Sequence, residues 1–90
     1  MAEISISNHA RGQIRDQGIS EAMVLEIISS PEQTIRQSPE KIIYQSINYF
    51  EEDKRNFLGR VFVNIIEQPN LVITVYRTSK IDKYYWKDED

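Results

Sequence analysis

A change of hydrophobic period at Pro31 constrains this chain more than any other feature. Before it, apolar residues recur at three- and four-residue spacings, as in helices that bury one face. After it, they alternate or gather in β-branched and aromatic runs, as in strands. Ninety residues leave room for a single core, so the helices must cover one face of whatever sheet the strands build. The expectation is one α+β domain over residues 1–90. It has two N-terminal helices packed on one face of an antiparallel meander sheet of about four strands.

The first helix is expected over 7–17, with Ser7 or Asn8 as its N-cap, an apolar stripe of Ile6, Ala10 and Ile14, and Gly18 as the left-handed residue after it. The second is expected from Ser20 to Ser29, with Ile19 packing on Val24 as a hydrophobic staple and Pro31 as the stop. Met23, Val24, Ile27 and Ile28 share one side of it, which makes them core residues. Strands are expected at 33–37, 41–49, 57–67 and 71–76, with turns at Ser38-Pro39-Glu40 and Gln68-Pro69-Asn70 and a charged connection over 50–56. Alternation puts Phe57, Val61, Val63 and Ile65 inward, with Arg60 and Asn64 outward. In the last strand it puts Leu71, Ile73 and Val75 on one side and Val72, Thr74 and Tyr76 on the other. Tyr44 and Tyr49 fall on opposite faces of their strand. The face that the helices leave uncovered, carrying Arg60, Asn64, Thr74 and Tyr76, is where a ligand would meet the sheet.

Charge and cysteine content exclude several classes. With no cysteine and only His9 for histidine, there is neither a disulfide framework nor a thiolate zinc site, and no metal or cofactor is expected. No apolar run reaches the roughly 18 residues of a membrane span, and the start lacks the basic and apolar regions of a signal peptide, so a cytoplasmic protein away from membranes is expected. The net charge of −3 argues against broad nucleic-acid binding. Glu51-Glu52-Asp53 and Asp88-Glu89-Asp90, however, read as solvated clusters. Setting those six aside leaves eight of the fourteen acids against eleven bases. Arg11, Arg15, Arg36, Arg60, Arg77, Lys80 and Lys83 can then form a local basic face able to bind phosphate.

The polar residues with reactive potential gather at two segment ends, Ser7-Asn8-His9-Ala10-Arg11 and Tyr76-Arg77-Thr78-Ser79-Lys80. Were the fold to bring them together, one spot would hold a proton carrier, two cations and several hydroxyls. Cleavage of RNA by its own 2′-hydroxyl asks for that equipment. On this reading His9, Arg77 and Lys80 are the catalytic candidates: His9 as base, Arg77 as the planar fork on the phosphate, Lys80 as a point charge. Arg11, Arg15, Arg60, Tyr76, Thr78, Ser79 and Tyr84 are candidates for holding the substrate. Plainer roles stand beside these. His9 fits an exposed helix start, Arg77 fits an ion pair with Asp82 or Glu3, and Arg11 and Arg15 fit a solvated stripe. Thr78-Ser79-Lys80 fits a loop leaving the sheet, and Tyr84-Tyr85-Trp86 fits an anchor on the domain edge.

The run Ser7-Asn8-His9-Ala10-Arg11, the turn Gly18-Ile19-Ser20, the helix end Ser30-Pro31-Glu32 and the run Val72-Ile73-Thr74-Val75-Tyr76-Arg77-Thr78 resemble the family of domain of unknown function 4258. The resemblance spans nearly the whole chain. Such domains look similar in layout to the RelE/ParE and BrnT toxins, in which helices pack on a twisted antiparallel sheet, many of them cutting RNA without a metal. The resemblance implies His9 and Arg77 as the positions to watch, RNA as a partner and a cognate antitoxin as another. The acidic balance and the charged segment from Glu51 to Arg55 depart from a basic ribonuclease toxin. Two functions are therefore carried forward: a metal-independent toxin-type ribonuclease, and a non-catalytic module that keeps the fold but binds a protein or nucleic acid.

Overall fold

The computed structural model describes residues 3–86. The acidic cluster Asp88-Glu89-Asp90 and the first two residues lie outside them. The order of elements is β1 (Ile4–Ile6), α1 (Asn8–Asp16), α2 (Glu21–Ser29), β2 (Gln33–Arg36), β3 (Lys41–Phe50), β4 (Arg55–Asn64), β5 (Asn70–Thr78) and the single turn α3 (Ile81–Tyr84). None of the described helices is long and apolar enough to cross a membrane.

Both long helices begin where a hydroxyl can serve a free backbone donor. Ser7 Oγ accepts from the Ala10 N–H at 3.1 Å and Ser20 Oγ from the Met23 N–H at 3.0 Å, the side-chain caps that satisfy part of an exposed first turn. Gly18 follows α1 at φ 67°, where a Cβ would add strain. Ala10 and Ile14 of α1 and Val24 and Ile27 of α2 are buried, and Ile19 between the helices joins the same cluster.

The strands form one mixed sheet in the order β1-β5-β4-β3-β2. β2 to β5 are the antiparallel meander read from the sequence. The expectation of four antiparallel strands is corrected by β1, a fifth strand that pairs in parallel with β5, from Ile4 opposite Asn70 to Ile6 opposite Val72. Ile6, expected in the first helical stripe, packs on the core from this strand instead. Three residues are too few for periodicity to reveal a strand, and the pairing depends on a partner more than sixty residues away.

A second correction concerns β5. The register slips between Phe62 and Val63, so that Val61 faces Val75 and Val63 faces Val72, leaving Ile73 as an extra residue. This bulge turns both Val72 and Val75 toward the helices, at 0% and 1% exposure, while Leu71 and Ile73 stay half-buried. Simple alternation puts Leu71 and Ile73 inward instead. The connection over 50–56 also shrinks, since β3 and β4 pair as far as Phe50 opposite Arg55 and leave a four-residue turn. In that turn the Lys54 N–H donates to the Phe50 carbonyl at 2.8 Å.

α1 lies along β5 and α2 crosses β3 and β4, so the helices cover one face, on Val61, Val63, Val72 and Val75. The opposite face carries Ile43, Gln45, Leu58, Arg60, Phe62 and Tyr76 by register. It is not open, because Leu58 and Gln45 are fully buried.

The bulge has a direct test. Val72→Asp places an unpaired carboxylate in the core, a cost of several kcal/mol against a total stability of roughly 5–13 kcal/mol for a domain of this length. It should abolish cooperative thermal unfolding. Ile73→Asp at the half-buried bulge position should keep a cooperative transition, and melting curves with the reverse order would put the bulge elsewhere.

Candidate functional site

Arg60 sits at the middle of the second face with 7% exposure, an unusual place for a guanidinium. β4 sets its direction, since it lies between the core residues Gly59 and Val61 and must point the other way. Its Nε donates to Gln45 Oε1 at 2.8 Å and its Nη1 donates to the Tyr76 hydroxyl at 2.8 Å. Three rings surround the charge, with centroids at 4.3 Å for Tyr84, 5.5 Å for Phe62 and 5.8 Å for Tyr76. Two charge-assisted hydrogen bonds of roughly 1.5–3 kcal/mol each, with cation–π contacts of about 0.5–2 kcal/mol each, offset much of the desolvation cost.

No carboxylate among the described residues pairs with Arg60, and its Nη2 donates to none of their acceptors. Among those residues the fully enclosed side-chain N or O atom left without a partner is Asn48 Oδ1. Among the described residues the face thus carries a positive charge that no carboxylate answers, set in a ring of aromatic side chains. An anion that reached it would meet a planar fork already held in orientation.

The Gln45 amide ties this charge to the chain end. Its Nε2 donates to Gln33 Oε1 at 2.7 Å and to the Tyr84 carbonyl at 3.1 Å, while Gln33 Nε2 donates to the Trp86 carbonyl at 2.5 Å. The segment from Ile81 to Trp86 is thereby laid over the second face. The docking foreseen for Tyr84-Tyr85-Trp86 takes place, on the face of the sheet instead of its edge. Tyr84 is half-buried there, and its phenol is shifted below 10.0. The Lys83 ammonium beside its oxygen is the main cause, burial opposes it, and the Tyr76 hydroxyl and the Arg60 charge add to the lowering. Tyr85 is shifted the other way, first by burial and then by the nearby Glu32 carboxylate.

The two polar clusters singled out in the sequence are not brought to one spot. The Ser7 N–H donates to the Val72 carbonyl, Gln13 Oε1 accepts from the Val75 N–H and Gln17 Oε1 accepts from the Arg77 N–H, so α1 runs alongside β5. His9 is exposed in the first turn of α1, and Arg77 lies by its end, with eight residues or roughly 12 Å of helix between His9 and Gln17. The Arg77 side chain is also occupied. It lies 4.4 Å from the ring centroids of both Phe50 and Phe57 and donates to Asp53 Oδ2 at 2.7 Å. Its carboxylate partner is thus Asp53, neither Asp82 nor Glu3, and among the described residues Asp53 is the member of the 51–53 cluster that is ion-paired.

The other candidates divide by layer. Arg11 is ion-paired with Glu21, and Arg15 is exposed beside Asp16 at 4.0 Å. Ser79 and Lys80 are exposed in the loop after β5, where Thr78 Oγ1 accepts from the Lys80 N–H. Arg60, Tyr76 and Tyr84 do come together, and Thr78 shares their face. Sequence reasoning missed Gln45, Phe62 and Gln33, and gave Lys83 and Trp86 only general places, in the basic face and in the docked aromatic run. Gln45 carried a signal, an amide in the middle of a strand otherwise dense in Ile and Tyr, where a polar group must find partners if buried.

A family model described as domain of unknown function (DUF4258) matches residues 6–77, most of the chain. No curated protein and no solved structure matches it.

Ultraviolet titration of the five tyrosines should resolve one phenol that ionises below 10.0, absent in Tyr84→Phe and moved upward in Lys83→Met. The folded state holds this proton less tightly than the unfolded chain, so Tyr84 favours the folded state increasingly as pH rises from its lowered pKa to 10.0. That contribution is lost as pH falls through the lowered value. Tyrosines that all titrate at the ordinary value would remove the charge cluster from Tyr84.

Proposed function

The chain belongs to the domain of unknown function 4258 family, and we propose that it is a metal-independent ribonuclease of toxin type, with a RelE/ParE-like layout, that handles the RNA phosphate at Arg60. The single observation carrying this reading is a guanidinium at 7% exposure, without a carboxylate among the described residues, beside a phenol of lowered pKa and an ammonium. A buried cation left unpaired is costly, and an anionic ligand is what would complete it.

The chemistry follows from the groups present. Arg60 Nη2 holds a non-bridging oxygen and stabilises the charge that builds on it as the 2′-oxygen attacks phosphorus. The attacking hydroxyl gives its proton to Tyr84 in its phenolate form, which Lys83, Tyr76 and Arg60 make easier to reach by lowering the pKa of the phenol. The P–O5′ bond breaks, and the departing oxygen takes a proton from the Lys83 ammonium. The ends left are a 2′,3′-cyclic phosphate and a 5′-hydroxyl. His9 has no part in this scheme, because α1 lies on the other side of the sheet from Arg60.

The second reading, a binding module without chemistry, draws on the same geometry. Gln45 and the Tyr84 ring, two of the partners of Arg60, also fasten the C-terminal segment, so the charge serves the fold as well. Cleavage decides between the two. Purified chain in excess EDTA should cut single-stranded RNA to 2′,3′-cyclic phosphate ends and spare DNA, which has no 2′-hydroxyl. Tyr84→Phe should lower the rate on the order of 100-fold or more with little change in binding, and Arg60→Lys should weaken both. RNA bound but left intact at every pH would leave the binding module. Cleavage lost in His9→Ala but kept in Tyr84→Phe would move the chemistry to α1.

A further inference from the structure

A cleft of about 370 Å³ opens beside the Arg60 cluster, lined by Glu32, Gln33, Thr34, Tyr85 and Trp86. It lies between the edge strand β2 and the C-terminal segment. The Gln45 and Gln33 amides join it to Arg60 in an unbroken chain of hydrogen bonds. Arg60 and Gln33 are two strands apart, roughly 9–10 Å at ordinary sheet spacing, comparable to the reach from a nucleotide's phosphate to its base.

The lining has the composition of a base-binding site. Trp86 is 47% exposed, an aromatic surface available for stacking, and Tyr85 borders it. Glu32 provides the polar edge. Its Oε1 accepts from the Ile47 N–H at 2.9 Å and the Tyr85 hydroxyl lies beside the carboxylate, and among the described residues no side chain is ion-paired with it, so a group with about four acceptor sites keeps capacity for further donors at the cleft wall. An ionised carboxylate only accepts, so it selects ligands that present N–H groups.

Resting on the reading of Arg60 as the phosphate site, we propose that this cleft is a nucleobase subsite selective for guanine. Guanine offers adjacent N1–H and N2–H donors that match the two oxygens of a carboxylate. Cytosine and adenine offer one amino group each, beside an acceptor. Uracil offers a single N–H between two carbonyl oxygens that the carboxylate repels. The ring stacks on Trp86 while the phosphate of the same nucleotide meets Arg60.

Trp86 is the sole tryptophan, so its fluorescence reports the cleft directly in the full chain. Guanosine 5′-monophosphate should quench it and bind at least about tenfold more tightly than uridine 5′-monophosphate, in keeping with the discrimination of one bidentate base contact. Ribose 5-phosphate should compete with both. Glu32→Gln keeps the acceptor for the Ile47 N–H and should erase the guanosine preference while leaving ribose 5-phosphate affinity in place. Arg60→Lys should weaken all three ligands. Equal affinity for guanosine and uridine nucleotides, or a preference that survives Glu32→Gln, overturns the subsite even if RNA is cut. A guanosine preference in a protein that leaves RNA intact supports the subsite and removes the ribonuclease reading instead.

Discussion

The burial of the Arg60 guanidinium between the sheet and the C-terminal segment is the interaction on which the rest of this structure depends. Two helices of nine residues each cover one face of a five-stranded sheet. A sheet this small with its other face in water would leave Ile43, Leu58 and Phe62 exposed together, too large an apolar loss for a ninety-residue domain. The chain end has to cover them. Ile81, Tyr84, Tyr85 and Trp86 supply apolar surface there, and polar contacts set its position: Gln45 to the Tyr84 carbonyl, Gln33 to the Trp86 carbonyl, and Arg60 against the Tyr84 ring.

The two faces therefore differ in kind. The helix face is an aliphatic core whose close packing extends to Gly59, where a Cβ would come within 2.9 Å of Ile27 Cδ1. The second face is held by directional bonds among Arg60, Gln45, Gln33 and Tyr76, with partial access to water. Packing of the first kind depends on shape. The second kind holds a cation beside a cleft, its side chains fixed in place although, among the described residues, not all their donors are used.

Arg77 shows how a promising residue is taken up by structure. Stacked on Phe50 and Phe57 and bonded to Asp53, it locks the tip of the β3–β4 hairpin to the end of β5. Its charge is already answered. Arg60, one strand over and on the other face, has a similar aromatic setting but no carboxylate among the described residues, and that difference separates a structural arginine from one with binding capacity left.

Much of the layout was legible in the residues. Ser7 and Ser20 as caps, Gly18 at positive φ, the stop at Pro31, the stripe of Val24 and Ile27, and the four-strand meander all follow from local preference and period, which act over a few positions. Arg60, Tyr76 and Tyr84 were legible as candidates, the first two from alternation and Tyr84 from the aromatic chain end. Three features were decided only in the tertiary structure. β1 is too short to show a period and exists through its pairing with β5. The bulge at Ile73 reverses the faces of Leu71 and Val72, since one extra residue in a two-residue period inverts everything beyond it. The separation of His9 from Arg77 follows from α1 running alongside β5, a packing that brings Gln13 and Gln17 to the strand and carries the start of the helix away from its end. Sequence determines which residues are able to do chemistry, whereas which of them share a face depends on register and docking, whose energies come from partners distant in the chain.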